Sequence, residues 1–395
     1  MDVLRYIVIG LTYIGLGLGY IPFLRMNRAT IALVGAAMLM ALGVLDLKEA
    51  WGAIDYKTLI FLFSMMVISA NLACAGFFQL ALDYLMRFTS SPLGLLVVLT
   101  FVSAILSAFF LNDTIALIFT PLTLGLTQAL SLNPIPYLLA LAGATNLGSV
   151  ATLSGNPQNI LIGSYSGISY LEFAKALTPL ALASLIVQIG LLWWFYPEAR
   201  SMKASLSEKP LRYRIFKPLL TKSLLITGGL LVAFLIGIPP AQATLIAASL
   251  LFITRRVKPD RILNKVDWDL LVMFSGLFII TQAVQKLGVL NWFSNFVNTP
   301  ASILAVTAIL SNLVSNVPAV LLLHNLIPHP DNRTWLLLAA GSTLAGNLTL
   351  LGSVANLIVA EAVAKLGYRL TFWQHLRFGL PLTAITLIFA YFWIY

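Results

Sequence analysis

The chain has 395 residues, of which 59% are hydrophobic and only 10% charged, and it carries a formal net charge of +10. Apolar runs of about 20 residues, the length that crosses a bilayer, recur from end to end and leave no stretch long enough for a soluble domain. The positive charge must therefore sit in loops between spans, and no nucleic-acid partner is expected. The single cysteine, Cys74, excludes an internal disulfide and a cysteine metal cluster.

In chain order, the first apolar run lies near residues 4–23 and lacks a small-x-small cleavage site, so it reads as a retained span. Further spans fall near 29–47 and 58–77, followed by an amphipathic peptide at 79–88 that reads as an interfacial helix. The block 93–131 is apolar but is broken by "FFLNDTIAL". Its arms allow either two spans or a re-entrant hairpin, and both return the chain to the side it came from. The run 135–163 contains "GSVATLSGNPQN" and is expected to be a broken helix. A span near 177–197 leads to the basic segment 198–222, which reads as a topology determinant touching anionic lipid. Spans near 219–237, 240–254 and 269–286 follow, then a second interfacial peptide at 290–298. The block 301–327 is broken by "NLVSNVPAV", and its arms are too short to cross, so a re-entrant hairpin is expected. A broken helix at 335–363, containing "GNLTLLGSVAN", and a span at 378–395 complete the chain.

Three spans, a hairpin and two spans thus occur twice, predicting two repeats, 1–205 and 206–395. "IDYKTLIFLFSMMVISANLACAGFF" resembles "VDWDLLVMFSGLFIITQAVQKLGVL", and "TLSGNPQNILI" aligns with "TLLGSVANLIV". Five crossings per repeat is odd, so the second copy enters the membrane inverted. With 198–222 placed inside, inner segments hold 18 of the 24 lysines and arginines, which puts both termini outside. The fold class expected is an all-α polytopic membrane protein of the inner membrane. It has two inverted-topology repeats, each of five spans plus a re-entrant hairpin, with discontinuous helices.

Backbone that leaves a helix at membrane depth must be buried in protein or line a wet cavity. Four such breaks, two per repeat, concentrate the polar residues of the chain and define a candidate binding centre. Its members are Asn112, Asp113 and Thr114 at the first tip, and Asn146, Thr152, Gly155, Asn156 and Asn159 in the first broken helix. Ser315 and Asn316 form the second tip, and Asn347, Thr349, Gly352, Ser353 and Asn356 lie in the second broken helix. Amides there offer donors to oxyanion oxygens and acceptors to a cation. Asp113 alone among the acids lies near the centre of an apolar block, and a buried carboxylate calls for a proton or a cation, so it is the expected H+ or Na+ coupling residue. Glu361 sits near the inner end of its helix. His324 and His329, near the outer side, and His375, in an inner loop, read as structural or interfacial. No resident cofactor or metal is expected.

The segments "FFLNDTIALIFTPL", "ATNLGSVATLSGNPQNILIG", "LVSNVPAVLLL" and "LTLLGSVANLI" resemble the signatures of the ion transporter superfamily. That group includes arsenical efflux permeases, silicon-efflux transporters, P-protein relatives, citrate carriers and divalent-anion symporters. The "LND" followed by an apolar run ending in "TP" is most similar to the arsenite permeases and their relatives. Where the dicarboxylate symporters carry Ser-Asn-Thr at both tips, this chain reads Asn112-Asp113-Thr114 and Ser315-Asn316-Val317, and Asn156 stands where P-protein relatives place an acid. The resemblance implies a secondary carrier of a small inorganic or organic anion, arsenite- or silicate-like or a carboxylate, that moves its substrate by an elevator-like motion. A sodium/proton antiporter of the same superfamily and an anion channel are the alternatives. An enzyme is not expected, since no acid pair, His-rich helix or partnered nucleophile occurs. The sequence leaves open whether two copies pair as a homodimer.

Overall fold

The computed structural model describes residues 2–86, 91–201, 215–289, 296–327, 330–364 and 367–395, and every regular element among them is a helix. The first half comprises α1 (Asp2–Leu18), α2 (Arg28–Ala41), α3 (Leu47–Ala53), α4 (Tyr56–Ala75), α5 (Phe77–Met86), α6 (Pro92–Phe109), α7 (Asn112–Ala129), α8 (Ile135–Ser149), α9 (Pro157–Ser166) and α10 (Tyr170–Phe195). The second comprises α11 (Lys217–Leu235), α12 (Pro240–Phe252), α13 (Pro259–Leu263), α14 (Trp268–Lys286), α15 (Pro300–Val314), α16 (Asn316–Leu326), α17 (Asn332–Ala345), α18 (Val354–Ala364) and α19 (Phe372–Ile394). Among the described residues, six helices are long and apolar enough to cross a membrane unaided: α4, α6, α10, α11, α14 and α19.

Both broken helices form as expected, α8 with α9 and α17 with α18. Each of the two interrupted blocks folds as a helical hairpin, α6 with α7 and α15 with α16; α15 and α16, of 15 and 11 residues, are too short to cross, as expected of the second block, whereas α6 has the length of a span. The first hairpin turns at Phe110 and Leu111, and its tip reaches the break of the first broken helix, where the Asn112 backbone N–H donates to the Gly155 carbonyl at 2.9 Å. Three boundaries differ from the hydropathy reading. The span placed at 29–47 ends at Ala41, because the chain turns through Gly43 at a φ of 69° before restarting as α3 behind an Asp46–Glu49 capping box. Helix α10 starts at Tyr170 and α19 at Phe372, each set by a capping box, Ser169 with Glu172 and Thr371 with Gln374. His375 is consequently a buried helical residue and does not lie in a loop. Of the two interfacial peptides, the first appears as α5, while most of 290–298 lies outside the described residues, as do His329 and the 205/206 boundary.

The packing exchanges partners between the halves. Helix α2 packs on α14 while its counterpart α12 packs on α4; α6 packs on α8 as α15 packs on α17; α10 and α19 pack on each other. Contacts at helix ends tie neighbouring elements together. Arg5 donates to the Leu42 carbonyl, and Arg333 lies over the Tyr395 ring. At one end of α14 Lys286 bonds Glu49 at 2.6 Å, and at the other Asp269 accepts from Asn27 at 2.8 Å. At one end of α19 the Trp393 indole donates to the Ala176 carbonyl at 2.7 Å, and at the other Arg377 lies over the Phe195 ring, near where Asn133 bonds Glu198 at 2.9 Å.

Candidate functional site

The interior is polar only where helices stop. Asn146, on the last turn of α8, is 1% exposed and uses its whole amide. Its nitrogen donates to Asn347 Oδ1 at 2.8 Å and Asn356 Oδ1 at 3.2 Å, and its oxygen accepts from Ser353 Oγ at 2.9 Å and Asn112 Nδ2 at 3.2 Å. One side chain thereby ties the first hairpin tip to both breaks.

The two breaks are built alike. Asn159 Nδ2 donates to the carbonyls of Ser149 and Thr152, both at 3.0 Å, and Asn356 Nδ2 donates to those of Gly346 (2.8 Å) and Thr349 (3.1 Å). These carbonyls lost their helical partners at the interruption, and the asparagines replace them. Thr152 Oγ1 donates to the Ala108 carbonyl of the first hairpin, as Thr349 Oγ1 donates to Asn312 Oδ1 of the second at 3.0 Å. Gly155 and Gly352 permit close approach: a Cβ would lie 2.3 Å from the Ser149 carbonyl in one and 2.5 Å from Asn312 Oδ1 in the other. Across the centre the halves swap partners. Asn156 Nδ2 donates to Thr343 Oγ1 at 3.2 Å, and Ser353, in the position of Asn156, donates to Asn146, in the position of Thr343. The Asn316 amide, oriented with its nitrogen toward acceptors, donates to the carbonyls of Gly352 (3.2 Å) and Ser342 (3.1 Å). Ser315 before it takes a φ of 80°, a costly backbone for a residue with a Cβ, held where α15 gives way to α16.

Helices α7 and α16 begin here with no side-chain cap, so their partial positive N-termini open toward the centre. Asp113 and Thr114 are half-buried in the first turn of α7, and among the described residues the Asp113 carboxylate makes no hydrogen bond or ion pair. Arg28 is the cation whose field reaches both Asp113 and Glu361, yet its Nε is held by the Leu16 carbonyl at 3.0 Å. Four buried polar atoms in this region have no partner: Asn112 Oδ1, Asn159 Oδ1, Asn347 Nδ2 and His375 Nδ1. The asparagines, Thr152, Thr349, Gly155, Gly352 and Ser353 thus lie in one cluster, while Asp113 and Thr114 follow Asn112 in the first turn of α7 and Ser315 precedes Asn316. Sequence reasoning missed Asn312, Thr343 and Gln158, and it read His375 as structural or interfacial without placing it beside the centre. Gln158 donates to Thr343 Oγ1 at 3.1 Å, and its signal was a polar residue next to the proline of the first break.

A polytopic helical bundle whose broken helices and hairpins meet at a buried polar centre has the architecture in which membrane transporters bind their solutes. The citrate transporter family profile matches residues 18–333, and the chain belongs to that family. It is 31% identical to the silicon efflux transporter LSI3 of Oryza sativa subsp. japonica, over 92% of each chain. It is also 31% identical to the inner membrane protein YbiR of Escherichia coli strain K12, over 85% of this chain and 86% of that one. The putative transporter arsB of Dictyostelium discoideum shares 26% identity over 92% of this chain and 86% of its own. In fold, the chain resembles the crystal structure of the Alcanivorax borkumensis YdaH transporter, with a TM-score of 0.53 at 13% identity, covering 93% of this chain and 96% of that one.

Proposed function

We propose that the protein is a secondary active transporter of a small anion or oxyanion, coupled to H+ or Na+, acting in the cytoplasmic membrane by an elevator-type motion. The observation that carries this reading is the pairing of opposite preferences at the hairpin tips. The uncapped N-termini of α7 and α16 favour an anion, while the unpaired Asp113 on α7 requires a proton or a cation. A site that stabilises its anion best when a cation is also present couples the two by mutual affinity. Inverted repeats supply the symmetry for exposing that site to either side in turn. The similarity to a silicon efflux transporter and to the citrate transporter profile sets the substrate panel: inorganic oxyacids on one hand, carboxylates on the other.

The test uses purified protein in liposomes with imposed proton or sodium gradients, a proton-sensitive dye and that panel. Wild type is expected to move one class of solute against its gradient when one of the two ions is supplied. Asp113→Asn keeps size and hydrogen bonding but cannot bind the coupling ion, so gradient-driven transport should fall by at least a hundredfold. Full gradient dependence in Asp113→Asn would remove the coupling role from this residue.

A further inference from the structure

The two halves are not chemically equivalent at the centre. In the register that pairs the caps Ser169 and Thr371, the prolines Pro179 and Pro381 also coincide, as do the buried Ser184 and Thr386. In that register the fully buried Phe173 of α10 corresponds to His375 of α19, which is 1% exposed. An imidazole in the second half therefore stands where the first half has a phenyl ring.

Its ring nitrogen finds a specific partner. His375 Nε2 donates to the Asn347 carbonyl at 3.0 Å, which sets the Nε2–H tautomer, and Asn356 Nδ2 lies 3.4 Å from the same nitrogen. One turn further along α19, Gly379 allows the helix against this same carbonyl, since a Cβ there would come within 2.2 Å of it. The counterpart of Gly379 in α10 is Leu177. Helix α19 is thus fitted to the Asn347 carbonyl by two residues that α10 lacks. Asn347, so held, presents its side-chain oxygen to Asn146, the amide on which the first tip and both breaks converge.

We propose that His375 is a positioning residue of the transport site, fixing Asn347 and, through it, the Asn146 amide that holds the first tip and both breaks together around the substrate. This rests on the transporter reading given above for what the site does, but the positioning itself is a property of the second break. Without the imidazole the Asn347 carbonyl is buried and unpaired, and the break must loosen to satisfy it.

Two variants and two readouts test this. His375→Phe installs the residue that the first half already accommodates, and His375→Gln restores a donor that reaches the same carbonyl. Hydrogen exchange, followed by mass spectrometry on the whole protein in detergent, compares peptides covering 340–360 with those covering 143–163 in the same molecule. We expect His375→Phe to exchange at least tenfold faster in the second break with the first unchanged, and His375→Gln to stay within threefold of wild type. In liposomes, His375→Phe should raise KM for the transported solute at least tenfold with kcat changed less than threefold, and His375→Gln should recover most of the affinity. An unchanged exchange rate in His375→Phe overturns the proposal, as does an equal KM increase in both variants. The exchange readout needs no substrate, so a failure of the transporter reading would leave it standing or falling on its own.

Discussion

At the scale of single residues, the centre is governed by amide chemistry. Asn146 is the only side chain among the described residues seen to join the first tip, the first broken helix and the second, and all four of its hydrogen-bonding positions are filled. Interhelical polar bonds in membrane proteins are worth about 0.6 kcal/mol each on average, so Asn146→Ala is expected to cost about 2–3 kcal/mol. Transport should fall more steeply, by at least tenfold, because the partners left behind lose their mutual orientation. Denaturation in detergent micelles and uptake into liposomes measure the two effects, and an Asn146→Ala variant that transports within twofold of wild type would sink the assignment. The asparagines were legible in the sequence because an amide in an apolar run has no solvent to satisfy it. Their separate duties were not. Asn159 and Asn356 spend their nitrogens on carbonyls of their own breaks, whereas Asn146 reaches other elements, and only three-dimensional proximity separates the two uses. His375 was read as structural or interfacial, away from the centre, for a different reason: hydropathy placed the start of its helix too late and left it in a loop.

At the scale of elements, small residues set how closely helices meet. A Cβ at Gly148 of α8 would lie 2.2 Å from the Ala104 carbonyl oxygen of α6, and one at Gly276 of α14 would lie 2.7 Å from the Ala32 carbonyl carbon of α2. Both obstacles are backbone and cannot rotate away. Gly148→Ala is therefore expected to destabilise by about 1–3 kcal/mol and to separate the first hairpin from the first broken helix. Gly190 of α10 meets nothing within 4 Å, so Gly190→Ala should stabilise by up to about 1 kcal/mol through helix propensity alone. Thermal unfolding of the two variants side by side checks the sign of each, and a stabilised Gly148→Ala would show that these helices are not in close contact. The elements themselves were readable from apolar length, and the breaks from glycine, proline and amides. Helix starts were less so: the capping boxes at Ser169 and Thr371 stand plainly in the sequence, but they begin each helix before the continuous apolar run does.

At the scale of the molecule, sidedness is predicted from repeat parity and charge, and the helix-end contacts show only which ends lie together. Glu49 meets one end of α14 at Lys286 and Asn27 meets the other at Asp269, while Ala176 meets one end of α19 at Trp393 and Phe195 meets the other at Arg377. The end of α10 at Phe195 leads into the basic segment, which the positive-inside rule assigns to the cytoplasm. Five crossings per repeat then put both termini outside. In a Cys74→Ala background, single cysteines appended at either end should react with an impermeant thiol reagent in intact cells, as should the outer control Lys48→Cys. The inner control Asn133→Cys should react only after permeabilisation. Labelling of one terminus alone would refute the inverted-repeat assignment, whereas labelling of Asn133→Cys with both termini protected would keep the repeats and reverse the molecule in the membrane.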